Sequence, residues 1–180
     1  MLSEVGVREK VTLGAFLITL LFILFEYSQG GVATHHLLAR EDLPEISNWW
    51  GLLTVPLVTW IAFTIVKSRE GKFDPESGKA GTWERIAYLR VLYGFIFGSI
   101  ASILWVYGMD ELLSTYILLP FLLSLFFRLY LPEYLVGFVV GMMYSFGGVL
   151  PIMVGLFLLF GSLVIHKIVR FIIKLLRRAR

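Results

Sequence analysis

Residues 134–165 read YLVGFVVGMMYSFGGVLPIMVGLFLLFGSLVI, an unbroken apolar tract. A helix that crosses the hydrocarbon of a bilayer needs roughly 20 apolar residues, within a range of about 17 to 25, so this tract is too long for one ordinary span. Near its middle stand Gly147, Gly148 and Pro151. Glycine frees the backbone for a tight turn, and proline suits the first turn of a helix, where its missing N–H costs nothing. The tract therefore predicts a short fifth helix, a hairpin and a long sixth helix.

Four further runs satisfy the length test and have polar ends: Val11 to Ser28, Gly51 to Val66, Ile86 to Tyr107, and Leu112 to Leu129. The first of these follows Arg8 and Lys10 and precedes the small residues Gly31, Val32 and Ala33, a pattern shared with cleaved signal peptides. Its apolar core is long for a signal, and Glu26 and Tyr27 follow it, so it is read as a retained transmembrane helix. Composition agrees with a bilayer as solvent: 58% of the residues are hydrophobic, 16% are charged and mean hydropathy is +0.81.

Charge gives an independent check on the count, because Lys and Arg in short loops stay on the cytosolic side. Six spans place Arg8 and Lys10, then Lys67, Arg69, Lys72, Lys79 and Arg85, then Arg128, then every basic residue from Lys167 to Arg180 on one side, with Arg90 able to snorkel there. Arg40 alone falls on the other. An unbroken fifth helix would carry the basic tail across the membrane. The expected fold is therefore all-α, one domain over residues 1–180, with six transmembrane helices and both termini cytosolic. Trp49, Trp50, Trp105 and Tyr107 then form an outer interfacial belt, and Trp83 and Tyr88 mark the inner one.

Beyond the sixth span, His166, Lys167, Arg170, Lys174, Arg177 and Arg178 recur every three or four residues opposite Ile168, Val169, Ile172, Ile173 and Leu176. This predicts a basic amphipathic extension at the inner surface, with anionic lipid headgroups as its partner. The net charge of +3 points to lipid and not to nucleic acid, since the basic residues adjoin apolar runs. With no cysteine, disulfides, thiolate nucleophiles and sulfur-rich metal sites are excluded.

Gly94 and Gly98, with Ala101 and Ser102, form a small-residue stripe on the third span, and Gly137, Gly141 and Ser145 form another on the fifth. Hydrophobic burial does not drive helix association in lipid, so close approach at small residues must. These stripes predict helix contacts, within the chain or in an oligomer. Pro56 and Pro120 each free a carbonyl in the second and fourth spans and predict kinks.

The candidate chemistry lies in THHLLAREDLPEISNWW, Thr34 to Trp50, on the non-cytosolic side. With Glu26, Asp110 and Glu111 it gathers six carboxylates against Arg40, a field that attracts cations. Adjacent His35 and His36 diverge by about 100° in a helix and lie on opposite faces of a strand, so they do not chelate a metal by themselves. Thr34 suits the cap of a short helix ending before Pro44, and Ser47 suits a cap or turn before the second span. Glu26 is the acid closest to lipid, and an intramembrane acid is by default a functional candidate. On the cytosolic side, Asp74 to Lys79 resembles a phosphate loop in composition only: the glycine spacing is wrong, Ala80 stands where a hydroxyl is needed, and no strand precedes it.

The expected function is that of a small multi-pass membrane protein, set in a bacterial or archaeal plasma membrane, which binds or passes a small solute or cation. Its mouth would be formed by Glu26, His35, His36, Asp42, Trp49 and Trp50. No cofactor, metal or catalytic residue is assigned. Two other classes fit the same residues. An intramembrane enzyme would pair His35 or His36 with a carboxylate, and an assembly subunit would expose a small-residue face and contain no cavity.

Overall fold

The computed structural model describes residues 6–36, 44–70 and 80–178, without the side chains of 35, 36, 70 and 80–83. Within them the chain forms α1 (Val7–Ser28), a two-stranded hairpin of β1 (Thr34–His36) and β2 (Glu45–Ser47), a single 3-10 turn (Asn48–Trp50), α2 (Gly51–Glu70), α3 (Ala80–Val106), α4 (Asp110–Tyr116), α5 (Leu119–Leu123), α6 (Pro132–Phe146) and α7 (Val149–Arg178). Among the described residues four helices are long and apolar enough to cross a membrane: Val7–Ser28, Asn48–Arg69, Glu84–Val106 and Val149–Arg178. Their outward faces carry Leu13, Leu21, Leu53, Phe157 and Phe160, each about half exposed or more, as lipid-facing helices require.

The break expected in the long apolar tract falls at Gly147 and Gly148. Gly147 adopts φ 65°, ψ −157°, a backbone conformation open to glycine, and Pro151 sits in the first turn of α7. The helix before the break, α6, has 15 residues and the one after it, α7, has 30. At a rise of about 1.5 Å per residue α6 is roughly 22 Å long, short of the ~30 Å hydrocarbon core.

The single span expected from Leu112 to Leu129 is not formed. α4 ends at Tyr116, four residues before Pro120, and α5 resumes at Leu119. Proline has no N–H to donate to the carbonyl four residues back and its ring collides with it, so Pro120 disfavours an unbroken helix through Tyr116, and here the helix opens. Pro56, by contrast, lies early in α2 and the helix continues through it.

A second correction concerns Thr34 to Pro44. Residues 34–36 are a strand and not a capped helix: Thr34 pairs with Ser47, His35 with Ile46 and His36 with Glu45. The Asn48 N–H donates to the Ala33 carbonyl and extends this closure. Ser47 does act as a cap, accepting a hydrogen bond from the Trp49 N–H at 3.4 Å. The phosphate-loop-like segment 71–79 lies outside the described residues, as does the Trp83 side chain.

Three buried clusters hold the bundle together. Ala62, Phe63, Val66, Ala87 and Val136 pack with Val7 and Val11 at one end. Ala15, Val55, Val139, Met143 and Ile152 fill the middle and the other end. Ala101, Phe138, Met142 and Leu158 join α4 and α5 to the rest through Leu113, Tyr116 and Phe121. Buried hydroxyls close on their own helix: Thr19 donates to Ala15 and Thr59 to Val55, both at 2.8 Å.

The most extensive pairing is α3 with α6. A Cβ on Gly94 would lie 2.2 Å from the Tyr134 carbonyl oxygen, on Gly98 2.4 Å from that of Phe138, on Gly137 1.9 Å from that of Val91, and on Gly141 2.4 Å from that of Phe95. The two small-residue stripes thus meet each other, backbone against backbone, inside one chain. Dispersion and Cα–H to carbonyl contacts then act at a range that side chains would prevent.

Candidate functional site

The ends of the bundle differ in charge. Among the described residues one end carries Glu26, Glu45, Asp110 and Glu111 and no Lys or Arg; the other carries Arg8, Lys10, Lys67, Arg69, Arg85, Arg90, Arg128 and the basic part of α7.

At the acidic end Glu26 meets Asn48, whose Nδ2 donates to Oε1 at 2.7 Å. Asn48 is 4% exposed and lies over Gly147, where an added Cβ would overlap its amide. Gly51 and Gly148 touch through their backbones beside it. The second Glu26 oxygen is buried and has no hydrogen-bond partner among the described residues. The ends of α1, α2, α6 and α7 are therefore drawn together at this rim. Of the residues expected to line a mouth, Glu26 is part of this knot. His35 and His36 lie on β1. Asp42 lies outside the described residues. Trp49 and Trp50 are about half exposed, as is Trp105 to a lesser degree, and Tyr107 more so.

At the basic end the buried group is Glu133, 1% exposed, in the first turn of α6. Arg69 Nη2 donates to its Oε2 at 3.0 Å and Arg90 Nη1 to its Oε1 at 2.9 Å. The carboxylate is doubly satisfied, sits where the helix dipole favours an anion, and fastens α2 and α3 to α6. Nearby, Arg8 stacks on Trp60 at 3.8 Å and ties the start of α1 to α2.

His166 departs from the expected interfacial position. It is 4% exposed, and its Nδ1 lies 2.9 Å from the Ser124 carbonyl oxygen. A carbonyl only accepts, so Nδ1 carries the hydrogen. The ring also packs on Tyr130. This contact sets the end of the α4–α5 segment beside the inner part of α7. Lys167, Arg170, Lys174, Arg177 and Arg178 continue the same unbroken helix, and from Arg170 to Arg178 every residue is exposed.

Between α3, the α4–α5 segment, α6 and α7 lies a cleft of about 580 Å³. Its walls include Ile96, Phe97, Leu119, Leu123, Leu135, Phe138 and Leu158, with Tyr93, Tyr116, Tyr134 and Ser162 as the polar side chains. The helix break at 117–118 lies along this wall, where Tyr116, Leu119 and Pro120 line the cleft. The Tyr116 hydroxyl donates to the Phe97 carbonyl at 3.4 Å, and the two rings stack at 4.6 Å. A kink at Pro56 or Pro120, or the short fifth helix, predicts a cavity near the midplane, but its walls are not marked in the sequence because nothing apolar stands out in an apolar chain. Its available signals were Pro120 and Ser162, a lone hydroxyl in an otherwise apolar run.

Four spanning helices, an apolar exterior and polarised ends make the chain a helical integral membrane protein. No protein-family model, no curated protein and no solved structure matches it.

Proposed function

We propose that this protein binds a small membrane-dissolved solute in the cleft between α3, α4–α5, α6 and α7. The observation that carries the reading is the cleft: about 580 Å³, within the ~300–1,000 Å³ usual for ligand sites, with apolar walls and few polar groups. The acidic rim supports a cleft site over a mouth, because Glu26, Asn48, Gly147 and the Gly51–Gly148 contact close that end.

In this reading the chain passes the membrane six times, with both termini on the cytosolic side. Two contacts support the fourth and fifth passes. Ser124 stands beside His166, 17 residues along α7 from its start, and Glu133 stands beside Arg69 and Arg90. In this reading the chain between Asp110 and Ser124, and again between Glu133 and Phe146, joins the two ends, although neither piece is a full-length helix. The concentration of Lys and Arg at one end supports that end as cytosolic.

The test is retention of a membrane solute by the purified protein. Hexadecanol added to the detergent-solubilised protein should be retained in native mass spectrometry. Leu119→Trp, which places an indole in the cleft at a position 37% exposed, should abolish retention without lowering the melting temperature. Equal retention by both proteins would overturn the assignment.

A further inference from the structure

Apolar walls alone do not select a ligand inside a membrane, since lipid tails are as apolar as the cleft and no hydrophobic gain distinguishes one chain from another. Selection must come from polar groups, and the cleft has an unusual one. Ser162 is 1% exposed, lies in its wall and has no hydrogen-bond partner among the described residues. Other helical hydroxyls, such as those of Thr54 and Thr64, donate to the carbonyl four residues back. A ligand atom placed against this hydroxyl would gain a hydrogen bond there.

Of the remaining polar groups, Tyr116 donates to the Phe97 carbonyl and Tyr134 lies toward the basic end. Tyr134 is in the first turn of α6 and lines the cleft, with Arg90 beside its hydroxyl. Arg128 stands between the lining residues Phe127 and Leu129, is exposed, and forms no ion pair among the described residues. The acid closest to this lip, Glu133, is already engaged by Arg69 and Arg90. One positive charge therefore exceeds the negative within that triad, and Arg128 adds a second. The cleft thus runs from a lip with Arg128 and Tyr134 toward the apolar side chains of Phe138 and Leu158.

Building on the cleft assignment, we infer that the ligand is an anionic single-chain amphiphile. Its acidic head lies at the lip, answered by Arg128 with Arg90 and Tyr134 close by. Its chain fills the interior, and the polar atoms next to the head meet the Ser162 hydroxyl. A carboxylate and a phosphate monoester share this chemistry.

The test compares palmitate, palmitoyl lysophosphatidate, hexadecanol and hexadecyltrimethylammonium on the full-length protein in a neutral detergent, read by native mass spectrometry. One or both acids should bind at least roughly tenfold tighter than hexadecanol, the ratio expected from about 1.4 kcal/mol. Whichever acid is preferred identifies the head. Arg128→Gln should bring that ratio down to about two while hexadecanol retention is unchanged, and Ser162→Ala should weaken the acids several-fold at an unaltered melting temperature. If hexadecanol equals the acids, or the cation binds best, the inference fails and the cleft remains a site for other solutes. If none of the four is retained, the cleft assignment fails with it.

Discussion

Gly137→Ala is the sharpest test of how the bundle is held. The added methyl would lie 1.9 Å from the Val91 carbonyl oxygen and 2.6 Å from the Phe95 nitrogen, both backbone atoms of α3 that cannot turn aside. Real Cβ contacts do not fall below 3.0 Å, so α3 and α6 must separate by roughly 1 Å at this level. Overpacking of this kind costs about 1–3 kcal/mol or more, against which alanine's better helix propensity returns up to ~1 kcal/mol. A net loss of about 1–2 kcal/mol in a chain of this size corresponds to a fall of roughly 3–8 °C in melting temperature. Gly14→Ala is the control: it lies on α1 with nothing within 4 Å of the added carbon, so it should melt at or above the wild type. Thermal melts of the three proteins in one detergent decide the matter. If Gly137→Ala melts as high as Gly14→Ala, the helices do not meet through their backbones and the account of the α3–α6 seam is wrong.

Other outcomes follow from the two ends. Glu133→Gln keeps the shape but leaves two guanidinium groups facing an amide, so it should cost on the order of 3 kcal/mol, and the loss should persist in high salt because the carboxylate is buried; melts with and without added NaCl check this. Asn48→Ala removes the bond to Glu26 and should cost about 1–3 kcal/mol in the same assay. Asn48→Asp sets two carboxylates within 3 Å, raising the affinity of one for a proton above its value in the unfolded chain. That variant should therefore be weakest above pH ~7 and recover as the pH falls toward ~4, a profile absent from Asn48→Ala. Because the chain has no cysteine, single substitutions report sidedness directly: a membrane-impermeant maleimide should label Gln29→Cys and Met109→Cys on sealed cells, and Ser68→Cys and Lys174→Cys after lysis only.

Much of the architecture is legible in the residues because the bilayer imposes simple rules. Length and apolarity identify α1, α2, α3 and α7, and Gly147 with Pro151 marks the turn before α7. The spacing of Gly94, Gly98, Gly137 and Gly141 marks the faces that meet, since in lipid a row of small residues has few other uses. What escapes is what depends on distant partners. Pro120 announces a disturbance but not whether the helix bends or opens; the outcome rests on Tyr116 finding the Phe97 carbonyl and His166 finding that of Ser124. His166 belongs to a stripe of cations by spacing, yet the neighbouring segment covers it. The site is legible least of all. Glu26 is conspicuous as an acid near lipid, while its partner Asn48 lies 22 residues away and gains its role through the hairpin that returns the chain. Ser162 gives no local sign that its hydroxyl goes unanswered.

The length of α7 has a mechanical consequence. At about 1.5 Å per residue its 30 residues make a rod of roughly 45 Å, some half as long again as the hydrocarbon is thick. Past Gly161 the rod contains neither glycine nor proline, so it has no joint at which to flex. Whatever grips the arginines at its tip also holds the handle of the wall that carries Ser162: a tilt applied outside the membrane arrives undiminished at the cleft.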